Sequence, residues 1–473
     1  GNLEDIMNGL DKLGRAYPMI WHRTDARTAR DNCAVTEIEA SENGIFLGRP
    51  ADITAGVKNC GPNPSGRRSL SLLIDGEIRS QVILNLDPGE KRDIVFSRKF
   101  TEPGWRSVEV QLDNDELHAD DTRMAGALVP GPLKVMIVSP DKGEDPFPYG
   151  VYIESALGGL FQEKYLELTT LTPLELVSAD LRETDVLFLV NVSLAANRPY
   201  LTTLRTFLKR GGGTAAFLPA INADEAAGFN VRARALEKAG NVTVDNLQGT
   251  YLSFMDKPDL KPRNIEIGKS LVFLDVETEN VRLYAENGVT AAFLNVDAGN
   301  LALFGFLPYP GYGNLQYNPN FVQMILRVIT ELRGSESLYQ RSGRVASWPK
   351  PNIDPEASYV LRDSEGKRWT LAVEGAGAET RLLLPPDTGT GFFSVLKNGE
   401  EWLRFGHNID AGDSELETVA EAELEPAEKK GLHLSKGMVS PTSLSRIDLF
   451  PWTTALLLAA VMFEAYAHFF RET

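Results

Sequence analysis

The chain has 473 residues, of which 43% are hydrophobic and 24% charged, ordinary globular usage that excludes a largely disordered protein. Its 48 Lys and Arg against 65 Asp and Glu give a formal net charge of −17; such a surface repels phosphate, so no nucleic-acid partner is expected. A mean hydropathy of −0.18 excludes a multi-span membrane protein, and the only two cysteines, Cys33 and Cys60, exclude a disulfide-dense scaffold, a four-cysteine zinc site and an iron–sulfur ligand set.

At roughly 100–200 residues per domain, the length predicts about three domains. The chain begins at Gly1 and not at Met, so it reads as the later part of a longer polypeptide or as a processed one. Residues 1–30 read as the remnant of an upstream domain: Leu3, Ile6, Met7, Leu10 and Leu13 recur at helical spacing, and an apolar run over 18–21 follows. Residues 31–130 read as an Ig-like β-sandwich. Alternating runs at 33–38, 51–58, 70–74, 81–86, 94–100 and 107–112 are separated by turn signals such as Asp75-Gly76 and Asp87-Pro88-Gly89.

Residues 131–340 change character. Continuous apolar runs at 133–138, 185–190 and 214–218 alternate with helical patterns at 152–161 and 201–209, the second stopped by Gly211-Gly212-Gly213. This pattern predicts a mostly parallel, doubly wound α/β sheet, closed by a strand over 301–306 and a helix over 321–332. Residues 341–425 return to β patterning as a small domain, ending in an acidic solvated stretch, and 426–447 read as a linker. The segment 448–470 is expected to be a transmembrane helix, apolar from Leu449 onward except for Thr453, Thr454, Glu464 and His468, with Trp452, Tyr466, Phe469 and Phe470 as interfacial anchors. A buried C-terminal helix of a globular domain is the competing reading. In lipid, Glu464 would need a polar partner on a neighbouring helix.

The unit Thr184–Val192, helix 201–209 and triple glycine resembles the class I glutamine-amidotransferase-like fold. Such an enzyme needs a nucleophilic Cys with a His base. Residues 131–340 contain neither, and the chain has no GxSxG elbow, so no catalytic residue and no cofactor are expected. Asp141, Glu144 and Asp145 follow the first α/β strand, where such sheets bind ligands; they are oxygen ligands for a cation or a solvated loop. Tyr309, Tyr312 and Tyr317 lie in a Pro/Gly-rich loop and read either as a protein interface or as rings buried beneath that loop. Asp120-Asp121 reads as a turn between domains and Arg67-Arg68 as hairpin solvation.

Four phrases in order carry a resemblance: Asn32-Cys33-Ala34-Val35-Thr36, Ile74-Asp75-Gly76, Asp115-Glu116-Leu117-His118-Ala119-Asp120-Asp121, and Phe405-Gly406-His407-Asn408-Ile409-Asp410 with Asp413-Ser414-Glu415-Leu416. With the domain order they resemble the BatA-like, aerotolerance-type membrane proteins that carry a von Willebrand factor A domain. The chain has no DxSxS loop, so metal-dependent adhesion is assigned to none of its residues and no metal site is expected.

The resemblance implies a non-catalytic scaffold or adaptor, held in the bacterial inner membrane by the C-terminal helix with its globular part outside the cytoplasm. Its partners would be the lipid bilayer, sibling membrane proteins and a MoxR-type AAA+ ATPase. An extracytoplasmic ligand- or carbohydrate-binding protein is the alternative. Lys429, Lys430, Lys436 and Arg446 before the helix, against Arg471 after it, would point the other way, but large domains translocate largely regardless of charge. A disulfide between Cys33 and Cys60 is expected: Cys33 starts the first sandwich strand and Cys60 ends the second, so antiparallel pairing brings them together, in an oxidising compartment. Two reduced, half-buried thiols are the alternative.

Overall fold

Alternating apolar residues build the first layers. The computed structural model describes residues 20–22, 31–40, 44–113, 115, 117–141, 147–242, 251–252, 265–334, 338–342, 347–349, 353–375, 381–385, 388–414 and 433–435. Strands β1 (Cys33–Ala40), β2 (Pro50–Asn59), β3 (Arg68–Ile74), β4 (Glu77–Leu84), β5 (Lys91–Lys99), β6 (Gly104–Leu112) and β7 (Thr122–Val129) follow in chain order. The antiparallel sheet β1-β2-β5 faces the sheet that contains β7-β6-β3-β4. Ile38, Ile53, Ala55 and Val57 from the first and Leu70, Leu72, Val108 and Val110 from the second share one buried core. Burial of apolar area at roughly 25 cal/mol per Å² is what holds two such sheets together.

The second region contains β8 (Leu133–Val138), α1 (Val151–Leu160), β9 (Leu166–Leu171), β10 (Val186–Val190), α2 (Leu201–Lys209), β11 (Gly213–Phe217), β12 (Ala233–Leu236), β13 (Ser270–Phe273), β14 (Val281–Ala285), β15 (Gly288–Val296), β16 (Gly299–Phe304) and α3 (Asn320–Arg333). Its sheet runs β9-β8-β10-β11-β16-β15-β13-β12, with β14 also paired to β15. The strands from β9 to β16 are parallel, and every residue of β10 is buried because helices cover both faces. Helices α1 and α3 bury Ile153, Leu157, Ile325 and Ile329 on one face, and α2 buries Leu204 and Leu208 on the other. The triple glycine has two jobs. Gly211 turns the chain at φ +93, whereas a Cβ on Gly212 would meet the Phe207 ring at 2.5 Å and one on Gly213 the Leu332 carbonyl at 2.7 Å.

Three expectations about the fold are corrected. Of the described residues 45% are strand and 17% helix, mostly β-sheet, and the antiparallel strands β12 to β15 make the α/β sheet mixed and not mostly parallel, because local periodicity does not report strand direction. No helix among the described residues is long and apolar enough to cross a membrane. The expected span 448–470, with Glu464, lies outside the described residues. The expected placement in an inner membrane rested on that helix and is corrected to this extent: the described residues supply no helix that would carry it.

Strands β17 (Leu338–Ser342), β18 (Tyr359–Asp363), β19 (Arg368–Thr370), β20 (Gly391–Lys397) and β21 (Glu400–Asn408) extend the larger sandwich sheet, whose full order is β19-β18-β20-β21-β17-β7-β6-β3-β4. Strand β17 is the hinge of that sheet: Leu338 and Tyr339 pair antiparallel with β7, and Gln340–Ser342 pair parallel with β21. The short strand Ile20–His22, in the segment read as an upstream remnant, pairs in parallel with His433–Ser435. The cores of the first two regions also interlock. Phe46 of the sandwich packs edge-on against Phe161 at 5.5 Å, while Tyr165 packs into the sandwich core. Arg333 lies over the Phe46 ring at 5.4 Å and Arg49 donates to the Leu160 carbonyl at 2.6 Å.

Candidate functional site

Two groupings concentrate chemistry. The first lies beyond the carboxyl ends of β8 and β16. The loop after β8 supplies Phe147 and Tyr149, α1 supplies Tyr152, and the Pro/Gly loop after β16 supplies Tyr309, Tyr312 and Tyr317. Tyr149 and Tyr309 pack at 4.5 Å between ring centres, and Tyr152 and Tyr317 at 5.7 Å. The Tyr309 hydroxyl donates to the Phe147 carbonyl at 3.1 Å. A hydrogen bond with the Tyr317 phenol, and then burial, push the Tyr152 phenol up to about 12. Phe147 and Tyr317 are 61% and 59% exposed, so this is an aromatic surface and not a core. Tyr312 is half-buried and packs into both cores of the α/β region. The loop thus exposes Tyr317 and half-covers Tyr312.

Asp141, read as a cation ligand or as part of a solvated loop, holds this loop. It accepts from the Tyr149 amide at 3.1 Å and from the Ser139 hydroxyl. Glu144 and Asp145 lie outside the described residues.

The second grouping is buried, where the β6–β7 turn meets the start of β1 and the Ala411–Ser414 turn after β21. Asp115, Asp120 and Asp121 each offer an oxygen within 4.8 Å of the others. Both Asp115 oxygens are used, Oδ2 by the Cys33 amide at 2.7 Å and Oδ1 by the Leu117 amide at 2.9 Å. Asp120 accepts the Asn32 carboxamide at 2.9 Å on Oδ2, and Asp121 accepts the Asp115 amide at 3.2 Å on Oδ2. Their Oδ1 atoms and Asn32 Oδ1 are buried without a hydrogen-bond donor. Arg68 is the one strong cation here: its Nε lies 3.1 Å from Asp113, and its Nη2 lies 3.5 Å from Asp115 and 3.9 Å from Asp121. Burial first, and the Asp115 charge second, push Asp121 up to about 6; burial also raises Asp120.

Asp120-Asp121, read as a turn, and Arg68, read as hairpin solvation, are therefore one buried charge cluster. Sequence reasoning missed the cluster, although three of the four quoted phrases meet at this seam: the Asn32 amide reaches both Asp120 and the Ser414 carbonyl at 3.0 Å, and Asn408 pairs with the Met124 backbone through Oδ1 at 2.8 Å and Nδ2 at 2.9 Å. The available signal was polar Asn and Asp residues beside apolar strand runs, in three separate stretches.

Cys33 and Cys60 are not joined by a disulfide. The expected antiparallel pairing of β1 with β2 forms, but Cys33 stands opposite Asn59. A one-residue offset turns neighbouring side chains to opposite faces of a sheet. Burial pushes the Cys33 thiol up to about 11, so it offers no thiolate near neutral pH.

No protein-family profile matches the chain, and no curated protein does. Among solved structures, the CARDB domain of a Pyrococcus furiosus protein, in complex with di-metal ions, is 16% identical, with a TM-score of 0.20 over 21% of this chain and 89% of that one. A cytoplasmic protein of Salmonella typhimurium is 13% identical, with a TM-score of 0.31 over 42% of this chain and 99% of that one. A putative cell surface protein domain of Methanosarcina acetivorans is 18% identical, with a TM-score of 0.18 over 21% of this chain and 92% of that one. Scores this low carry no argument about function. The expected transmembrane feature is corrected by the helices and not by these neighbours: none among the described residues is long and apolar enough to span a membrane.

Proposed function

We propose that the protein is a non-catalytic scaffold or adaptor and that its tyrosine edge is the surface that holds a partner protein. The observation that carries this reading is the array of mutually packed, part-exposed aromatic rings at the carboxyl ends of parallel strands. Large amphipathic rings with few rotatable bonds are what protein interfaces favour. Residues 131–340 offer no Cys or His as nucleophile or base. A net charge of −17 favours a partner presenting a cationic segment, whose Lys and Arg would sit over the tyrosine faces. The resemblance to BatA-like proteins supplies a partner class, a MoxR-type AAA+ ATPase.

The test is co-purification with such an ATPase, comparing wild type with a Tyr152→Ala/Tyr317→Ala variant. Loss of the complex with unchanged thermal stability supports the reading. Equal capture by both proteins removes the tyrosine edge from it. Turnover of an amide or ester substrate that survives replacement of both cysteines would overturn the non-catalytic reading.

A further inference from the structure

We propose that the buried seam formed by Asp115, Asp120, Asp121 and Asn32 is a binding site for a divalent hard cation, Ca²⁺ by preference. Two independent observations carry this. The first is the carboxylate cluster itself, with one oxygen from each of three aspartates inside 4.8 Å. The second is Asn32, which is not an acid and is only 1% exposed. Its side chain reaches into the cluster, the amide nitrogen donating to Asp120 Oδ2 at 2.9 Å, and its carbonyl oxygen is buried and meets no donor. With Asp120 Oδ1 and Asp121 Oδ1 it makes three buried oxygens that can only accept. A buried acceptor without a donor is costly, and a cation relieves several of them at once.

The identity of the ion follows from the donors. All three unmet groups are oxygens, two from carboxylates and one from a carboxamide, in an irregular arrangement. That set suits Ca²⁺, which takes six to eight oxygens flexibly, better than Mg²⁺, which demands a tight octahedron. A softer metal prefers sulfur or nitrogen ligands, and the unmet groups here are all oxygens. Arg68 lies beside the cluster, its Nη2 3.5 Å from Asp115 and 3.9 Å from Asp121 and its Nε 3.1 Å from Asp113, so one positive charge serves three carboxylates. A bound cation would join the β6–β7 turn, the start of β1 and the Ser414 turn, and so would fasten the C-terminal strands to the sandwich.

The experiment uses the full chain, stripped with a chelator and titrated with CaCl₂, MgCl₂ or ZnCl₂ by calorimetry and thermal melting. The expected result is Ca²⁺ binding with a raised Tm, and weaker Mg²⁺ binding. Asp121→Asn should weaken Ca²⁺ binding roughly tenfold or more. If that variant does not fold, Asp115→Asn, at a less buried ligand, serves the same comparison. Absence of Ca²⁺ binding by the folded wild type at millimolar concentration overturns the proposal, as does binding of Zn²⁺ alone. Undiminished Ca²⁺ binding in both variants places the ion elsewhere and also overturns it. None of these outcomes bears on the tyrosine edge, which shares no residue with the seam.

Discussion

The tyrosine edge and the acidic seam solve opposite problems. At the edge, polar groups face water or one another, so the rings stay part-exposed without penalty. At the seam, three charged side chains are buried against one arginine, and three of the seven side-chain oxygens of Asn32, Asp115, Asp120 and Asp121 have no hydrogen-bond donor. Exposed aromatic groups at a sheet's ligand end suit a surface that something else will cover. Buried, unmet acceptors suit a site that something small must fill. The difference lies in which groups remain unsatisfied, and in whether water can reach them.

The seam also carries the structural join, and the sharpest way to break it is through its glycines. Gly126 of β7 and Gly406 of β21 lie against each other's strands, and a Cβ on either would strike backbone atoms of the other strand: the Arg404 carbonyl from Gly126 and the Met124 carbonyl from Gly406. Backbone cannot swing aside as a side chain can. Gly406→Val is expected to cost roughly 3 kcal/mol or more, the upper range of overpacking. Chemical denaturation would read this as a lost or strongly shifted midpoint; a loss under about 1 kcal/mol would show that the two strands can separate locally.

Next in size is Asn408, whose carboxamide mimics a strand partner for Met124. Asn408→Ala leaves the Met124 N–H and C=O without that partner in a buried position. The expected loss is about 1–3 kcal/mol by equilibrium unfolding. Asn408→Asp keeps the acceptor but loses the donor and adds buried charge, so it should be no less damaging.

The third prediction concerns pH in protein kept metal-free by a chelator. Asp121 is raised from 3.8 to about 6, so the native state holds its proton more tightly than the unfolded chain does. A raised pKa contributes stability that is complete below the unfolded value and lost as pH rises through the folded one. The whole effect is at most about 3 kcal/mol, of which about 1 kcal/mol falls between pH 5 and pH 7.5. Chelated wild type should therefore be more stable at the lower pH across that window, and Asp121→Asn should flatten the slope. A slope of the same size in both proteins would assign it to other groups.

How much of this was legible in the sequence depends on the range of the interaction. Strands at 133–138 and the helix at 201–209 show in local apolar patterning, because a continuous run or a 3.6-residue stripe is a local signal. Tyr309, Tyr312 and Tyr317 were visible because the loop that holds them is rich in Pro and Gly. The seam was not, because Asn32 and Asp120 are 88 positions apart, and Asn32 and Ser414 are 382 apart. Each looks like a turn residue alone, and pairing a polar residue with one so distant needs the fold. The cysteines show the same limit at short range. The pairing of two strands was predictable, but the one-residue register that separates Cys33 from Cys60 was not.

The smallest expected effect is the one that tests the other side of the comparison. Tyr317 is 59% exposed, and its ring contacts only the edge of Tyr152 in the aromatic array. Tyr317→Ala should leave unfolding within about 0.5 kcal/mol of wild type, because an exposed edge contact contributes little to folding. The same change should free the Tyr152 phenol from its main perturbation, the hydrogen bond with Tyr317, and lower its titration midpoint from about 12 toward the ordinary tyrosine value. Ultraviolet difference titration against wild type reads that shift directly. An unchanged phenol titration would show that the two hydroxyls are not bonded in solution. A destabilisation of several kcal/mol would show instead that the ring is structural and that the edge is not a free surface.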